Sequence, residues 1–193
     1  SDDARARFSV LRQSADEASV GAIESLVRGG TDRALNRVNI LDFARLNGLD
    51  EEKAIAAFLH ASRLGIFDLS WNLLCPGCGG VLEANATLRT VRQTEYHCAL
   101  CAAGYEPTLD EMVEVSFTVN PRVRRIAAHD PHSLSMWDYQ KQVFWSSGID
   151  LPEERFDEII REIVIDSVEL PAGEKCILSV QLPAQFVIVR FGN

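Results

Sequence analysis

The sequence predicts an α+β fold that is divided into three units. Apolar residues at helical spacing, followed by one alternating strand pattern, fill residues 1–70. Four of the five cysteines lie within residues 71–109, where large apolar residues are few. Residues 110–193 carry alternating apolar residues and a further helical pattern, and the last strand pattern runs almost to Asn193. We therefore expect a winged-helix-like helical unit, a ribbon stabilised by its cysteines, and a β-rich α+β unit truncated at its C-terminal end, in a fragment of a longer protein.

The helical unit contains two helices that are ended by glycine. Paired glycines at Gly29-Gly30 end the first one, because glycine disfavours helical backbone. Its apolar residues recur at helical spacing and are Val20, Ile23, Leu26 and Val27. A second helix over residues 39–46 ends at Asn47-Gly48. We expect its inward residues to be Leu41, Phe43 and Ala44.

A third helix and a strand complete this unit. The helix follows Asp50, whose carboxylate suits an N-cap, and ends before Gly65. Its predicted buried stripe is Ile55, Phe58, Leu59 and Ser62. Strict alternation then predicts a strand with one face made of Phe67, Leu69, Trp71 and Leu73. Helix, short turn, helix and strand is the order of a winged helix-turn-helix.

Residues 71–109 carry two Cys-x-x-Cys pairs, with 19 residues between them. This spacing is typical of a four-cysteine zinc site, since a tight turn aims both sulfurs of each pair at one point. The predicted ligands are Cys75, Cys78, Cys98 and Cys101. Four thiolates leave no open coordination position, so we predict one structural Zn²⁺ per chain. Iron, disulfides and ordinary buried thiols are alternatives that the spacing leaves open.

The third unit is predicted from alternating and helical patterns. A strand covers residues 111–119, and a helix covers residues 133–145 with aromatic core residues. Another helix begins at Pro152, with an apolar stripe made of Phe156, Ile159, Ile160 and Ile163. After a turn at residues 171–174, we expect two strands, one over residues 175–181 and one over residues 186–191.

Several isolated residues are weaker site candidates. His97 beside Cys98 is interpreted as a strand-surface residue, with metal ligation as the alternative. We interpret Cys176 as a buried strand thiol, with a redox or ligand role as the alternative. A His-x-x-His pair, His129 and His132, shows no third ligand. The only basic cluster is interpreted as a solvated strand end, with an anion contact as the alternative, and comprises Arg122, Arg124 and Arg125.

Charge and hydropathy exclude several classes of protein. The 19 Lys and Arg residues against 28 Asp and Glu residues give a net charge of −9. A nucleic-acid-binding domain normally presents a basic surface, so we do not expect nucleic acid as a partner. No apolar run approaches the length of a membrane span, and the first residues lack the apolar segment of a signal peptide. We therefore expect a cytoplasmic protein with no membrane partner.

No arrangement of residues in the sequence matches a known catalytic motif. Gly-rich phosphate loops, serine or cysteine nucleophile motifs and His-Glu-x-x-His are all absent. We therefore expect that the chain is not an enzyme.

The order of several motifs resembles one family. Residues 65–71 (GIFDLSW) precede the first cysteine pair in residues 74–79 (LCPGCG), and after the second pair comes the strand of residues 113–124 (VEVSFTVNPRVR). With the later Leu182-Pro183 turn, this order resembles an uncharacterised zinc-ribbon-containing region found N-terminal to class III adenylate/guanylate cyclase domains in bacteria. The resemblance spans about residues 35–189.

This resemblance implies a non-catalytic regulatory module whose cyclase domain would lie downstream of Asn193 in the same chain. We therefore expect a zinc-binding regulatory or sensory module of a multidomain signalling protein, an adenylate or guanylate cyclase. Cyclase catalytic domains work as dimers, so the resemblance also implies a homodimer. Two alternatives are a winged-helix/zinc-ribbon transcription regulator that contacts DNA or polymerase, and a metal-dependent enzyme with an unrecognised site.

Overall fold

A computed structural model confirms the mixed α+β class. The structure describes residues 2–85, 95–98, 101, 103–106, 108, 112–151, 155, 158, 161–162, 164–166, 168, 170–179 and 181. The chain divides into two compact units, Ser1–Ile149 and Asp150–Asn193. Among the described residues, no helix is both long enough and apolar enough to cross a membrane.

Four helices open the first unit, and local signals set their ends. They are α1 (Asp2–Ser14), α2 (Glu17–Gly29), α3 (Ile40–Asn47) and α4 (Glu51–Arg63). The predicted N-cap of α4 is confirmed, because the Asp50 side chain accepts a hydrogen bond from the Lys53 N–H. Gly48 and Gly65 adopt left-handed backbone (φ 62° and 69°) just after α3 and α4, as the sequence predicts.

An antiparallel sheet packs against these helices, and its strands are β1 (Phe67–Leu74), β2 (Val81–Asn85) and β5 (Val113–Val119), in the order β2-β1-β5. A separate hairpin consists of β3 (Tyr96–Cys98) and β4 (Ala103–Tyr105). The β1–β5 register runs from Phe67 opposite Val119 to Leu73 opposite Val113. β5 thus pairs, over its full length, with the strand that follows the helices.

The core between helices and sheet is centred on Phe58, which is fully buried. Its ring lies 5.1 Å from that of Phe43, 5.2 Å from Phe67 and 5.3 Å from Phe117, measured between ring centroids. Such tilted and edge-on aromatic contacts stabilise a core beyond simple area burial. One residue of α4 therefore joins α3, β1 and β5.

The predicted inward stripe of α4 is wrong for two of its apolar members. Ile55 and Leu59 are 37% and 46% exposed, respectively. The face that packs on the core carries Ala54, Ala57, Phe58 and Ala61. Small alanine side chains allow the neighbouring elements to approach α4 closely, so alanines are buried beside Phe58 while the larger apolar side chains of Ile55 and Leu59 are not. In α3 the predicted core residues Phe43 and Ala44 are buried, whereas Leu41 is 52% exposed.

The region after β5 differs from the predicted helix over residues 133–145. Short 3₁₀ turns at Ala127–His129 and Pro131–Ser133 precede the one-turn helix α5 (Met136–Tyr139), which widens into a π-helical turn at Gln140–Phe144. The predicted aromatic core residues of this segment, Trp137, Tyr139, Phe144 and Trp145, are only partly buried.

In the second unit the predicted turn is confirmed, since the Glu174 N–H donates to the Pro171 carbonyl and Gly173 has a φ of 86°. The strand predicted for residues 175–181 is wrong where it is described, because residues 175–179 and 181 have no strand pairing. The stripe residues predicted after Pro152 and the strand predicted over residues 186–191 lie outside the described residues.

We predict that Phe58→Ala destabilises the first unit by about 3–5 kcal/mol, because it empties a site at which three other rings meet. Urea unfolding followed by circular dichroism measures the change. The matched control is Leu46→Ala, at a residue 74% exposed, which should cost less than about 0.5 kcal/mol. Equal losses in the two variants would contradict the central role of Phe58.

Candidate metal centre

The first cysteine pair lies in a tight turn directly after β1. The Cys75 N–H donates to the Gly80 carbonyl, and the Gly79 N–H donates to the Cys75 carbonyl, each over 2.8 Å. Gly79 has a φ of 67°, a conformation that other residues adopt rarely. At Gly77, a Cβ atom would lie 3.1 Å from the Cys101 sulfur. The turn therefore requires glycine for its shape and for space beside the sulfurs.

The second cysteine pair is carried by the β3–β4 hairpin. Tyr96 lies opposite Tyr105, and Cys98 lies opposite Ala103, in antiparallel register. Alternation buries Tyr96 and Cys98 and leaves His97 exposed. The interpretation of His97 as a strand-surface residue is therefore confirmed.

The two pairs bring the four predicted cysteines together. All four sulfurs lie within 4.8 Å of one another, and they are those of Cys75, Cys78, Cys98 and Cys101. The Cys75–Cys101 and Cys78–Cys98 sulfurs are each 3.7 Å apart, and all five cysteines of the chain are free thiols. Sulfurs bonded at about 2.3 Å to one tetrahedral ion would be about 3.8 Å apart. The cluster therefore fits a four-coordinate metal ion.

The electrostatics of the cluster favour a thiolate at one position. Burial by itself raises the pKa of Cys75, but the N–H groups of Cys78 and Gly77 and the Tyr105 hydroxyl lower it to about 7. The hydrogen bond to Cys75 raises the pKa of Tyr105 to about 12. At Cys78, burial and the neighbouring thiols raise the pKa. A divalent cation would offset the mutual repulsion that four thiolates experience at this distance.

A small apolar cluster supports the cysteine ribbon. Leu73, Tyr96 and Met112 are buried together, and Leu82, Tyr105 and Val113 pack against them. The Tyr96 hydroxyl donates to a Glu83 carboxylate oxygen over 2.5 Å. Counted over the residues that the structure describes, this cluster is separate from the Phe58 core and much smaller. A core of this size normally needs a metal or disulfide to fold.

Residues 140–149, which we call the strap, pack against the first cysteine turn. A Cβ atom on Gly79 would overlap the Ile149 side chain, and one on Gly80 would lie 2.7 Å from the Phe144 ring. Gly80 and Trp145 also form an isolated antiparallel bridge. The absence of side chains at both glycines is therefore what allows the strap to contact the turn.

Arg33, in a 3₁₀ turn after α2, fixes the strap from its other side. Its guanidinium donates to the Lys141 carbonyl and, over 3.1 Å each, to the carbonyls of Ser146 and Ile149. One side chain thus binds three backbone acceptors near both ends of the strap. Hydrogen bonds from a charged donor of this kind are stronger than neutral ones.

Asn36 and Arg37 continue the same arrangement. Asn36 donates to the Gln142 carbonyl, and Arg37 donates to the Val143 carbonyl. Together with Arg33, they satisfy three successive carbonyls at the end of a π-helical turn, where carbonyls lack partners within the helix. Arg37 has a φ of 54°, a conformation that costs a non-glycine residue about 1–3 kcal/mol. Burial lowers the pKa of Arg37, while Glu114 opposes this shift.

Of three weaker candidates, His129 is hydrogen-bonded to the backbone, and His132 and Cys176 are exposed. His129 accepts a hydrogen bond from the Ile126 N–H at Nδ1, so its Nε2 carries the proton and donates to the Val119 carbonyl. Neither nitrogen is left for a metal, and the paired His132 is exposed. The interpretation of Cys176 as a buried strand thiol is wrong, since this residue is exposed in a described segment without strand pairing.

The basic cluster contains a helix cap that the sequence did not predict. Arg124 donates to the carbonyls of Val27 and Gly30 over 2.9 and 2.8 Å, at the C-terminal end of α2. Its guanidinium lies 3.6 Å from the Asp32 carboxylate. Arg124 is therefore neither a solvated strand end nor free for an anion, whereas Arg122 and Arg125 are exposed.

The sequence also does not predict Tyr105, whose hydroxyl is hydrogen-bonded to Cys75, or the strap, which packs on the first cysteine turn. Adjacent glycines directly after a cysteine, as at Gly79-Gly80, are a local signal that another segment packs closely. No local signal marks Arg33 or Arg37, because their acceptors are backbone carbonyls more than 100 residues away. Tyr105 is visible in the sequence only as one of several aromatic residues near the cysteines.

The comparisons with known proteins give one match. The model of a family of unknown function (DUF5939) matches residues 1–191. No curated protein and no solved structure matches the chain significantly.

We predict that Cys78→Ser lowers the affinity of the chain for a divalent metal by more than about tenfold, since even outer-shell changes have effects of this size. Elemental analysis of the purified protein and competition with a chromogenic chelator measure the change. Cys176→Ser is the matched control, because that thiol is exposed and outside the cluster. Retention of full metal affinity in Cys78→Ser would contradict the four-sulfur site.

We predict that Tyr105→Phe weakens metal binding by about tenfold, because it removes the hydroxyl that stabilises the Cys75 thiolate. The control is Tyr96→Phe in the same hairpin, whose hydroxyl is hydrogen-bonded to Glu83. Chelator competition should separate the two variants. Equal metal affinities would show that the Tyr105 hydroxyl does not support the sulfurs.

Proposed function

The chain belongs to the DUF5939 family, whose function is unknown, and we propose that it is a non-catalytic, zinc-stabilised regulatory module of a multidomain signalling protein. The observation that carries the proposal is the strap: residues 140–149 contact both the first cysteine turn and the segment after α2. A metal bound by the four cysteines would therefore stabilise contacts among three segments that are far apart in sequence.

Zinc is the metal that we propose for the site, with iron as the alternative. Zinc is commonly held by four thiolates in a tetrahedron, which the 3.7 Å sulfur separations fit. Four protein ligands leave no position for water or substrate, which favours a structural role. Free thiols at all five cysteines suit a reducing compartment, and we propose the cytoplasm.

We propose an adenylate or guanylate cyclase domain as the partner that the module regulates. This part of the proposal is supported by the order of motifs: a Gly-Ile-Phe strand start, a Cys-Pro-Gly-Cys turn and a Val-Asn-Pro-Arg-Val-Arg strand end. In the structure the first and last of these motifs meet, because Phe67 at the start of β1 lies opposite Val119 at the end of β5. The motifs thus belong to one structural unit.

Recognition of DNA is not favoured, although the helices follow the winged-helix order. In such proteins the first turns of the second helix of the motif contact base edges in the major groove. Here that helix is α4, and its exposed first turn carries Glu51 and Glu52. Two carboxylates at this place would be repelled by the phosphate backbone.

Hydrogen exchange tests whether metal holds the strap in place. We predict that removal of zinc by a chelator increases amide exchange at Trp145, Ser146 and Ile149, whose N–H groups are bonded within the strap or to Gly79. Amides of the α2 and α4 interiors are the internal control. Unchanged exchange in the strap of the metal-free protein would contradict a metal-stabilised module.

Cyclase assays of the natural gene product test the regulatory role. We predict that the product forms cyclic AMP or cyclic GMP, that residues 1–193 alone form neither, and that Cys78→Ser changes the rate at least about tenfold relative to Cys176→Ser. A gene product without cyclase activity would refute the cyclase partner. Turnover by residues 1–193 alone would refute the non-catalytic assignment, and equal rates in the two cysteine variants would refute regulation through the metal site.

A further inference from the structure

The outward face of α4 carries a stripe of exposed residues. We define the α4 stripe as Glu52, Ala56, Leu59 and Arg63, all of which are exposed. At about 100° of rotation per residue, these four positions fall within about 60° of arc on one side of the helix. The buried residues of α4, Ala54, Ala57, Phe58 and Ala61, lie on the opposite side. The stripe therefore faces away from the core.

The two charged ends of the stripe have no partner in the described part of the chain. Neither Glu52 nor Arg63 makes an ion pair or hydrogen bond through its side chain there. Two nearby charged residues, by contrast, do form ion pairs. Lys53 lies 3.4 Å from the Asp16 carboxylate, and Arg45 lies 3.1 Å from the Asp42 carboxylate. The middle of the stripe is apolar, and Leu59 is 46% exposed.

The α4 stripe is complementary to the same stripe on a second copy of the chain when the two helices run in opposite directions. In an antiparallel pair of α4 helices related by a two-fold axis between residues 57 and 58, Glu52 of one copy faces Arg63 of the other. The same axis places Ala56 opposite Leu59, a small residue against a large one. Both pairings occur twice in such an interface, as two-fold symmetry requires.

We propose that the α4 stripe is a homodimer interface in which two copies of this chain pack their α4 helices antiparallel. Ala56 allows the helix axes to approach closely, and Leu59 fills the space beside it. Leu69 of β1 lines a shallow groove together with Ala56 and Leu59, and this groove extends the apolar surface. The interface shares no residue with the four-cysteine cluster, so it can be tested separately from the metal site.

An interface built on one helix pair is small, so the dimer should be weak and depend on concentration. Sedimentation velocity over a dilution series of residues 1–193 tests this. We expect a monomer–dimer equilibrium that Leu59→Glu abolishes. Val10→Glu is the matched control, since Val10 is 45% exposed on α1 and lies outside the stripe. Circular dichroism shows whether each variant is folded.

A charge exchange tests the proposed register. Glu52→Arg and Arg63→Glu, each alone, place like charges against each other twice per dimer, and each should raise the dissociation constant by about tenfold. The double variant E52R/R63E restores two opposite-charge pairs and should return the constant to near the wild-type value. A chain that is monomeric at all concentrations, a dimer unaffected by Leu59→Glu, or a double variant no better than the single ones would overturn the proposal.

Discussion

The convergence of four sulfurs on one point is the constraint on which the ribbon and its surroundings depend. Thiols packed this closely repel one another once they ionise, so their arrangement requires either protons or a cation. Space beside them is limited, which explains a glycine at position 77, where a Cβ atom would approach the Cys101 sulfur to 3.1 Å. Among the described residues, the apolar cluster beside the sulfurs comprises Leu73, Tyr96, Met112 and a few partly buried neighbours. A cluster of this size would leave the ribbon dependent on the ligands for its stability.

The strap connects the ribbon to the helical unit. Its π-helical turn, Gln140–Phe144, leaves successive carbonyls without helical partners, and side chains from residues 33–37 supply the missing donors. Its other side contacts Gly79 and Gly80 of the cysteine turn. The strap is therefore held by contacts with both the ribbon and the helical unit.

The sequence predicts those structural features that are determined by residues nearby in the chain. It does not predict the features that depend on contacts with distant residues. Helix ends at Gly48, Asp50 and Gly65 follow from capping chemistry within a few residues, and the sulfur cluster follows from spacing. The buried face of α4 was missed because alanine packs closely without being strongly apolar. The helix predicted over residues 133–145 is replaced by turns whose carbonyls bind residues more than 100 positions earlier.

The position of β5 in the sheet has a consequence for synthesis of the chain on the ribosome. Phe58 emerges early, but Phe117, against which its ring packs, emerges only after the entire cysteine ribbon. Arg124, which caps α2, follows still later. The nascent helical unit thus stays open on one side while the four cysteines are already outside the tunnel. Metal acquisition by the ribbon can therefore precede closure of the aromatic core.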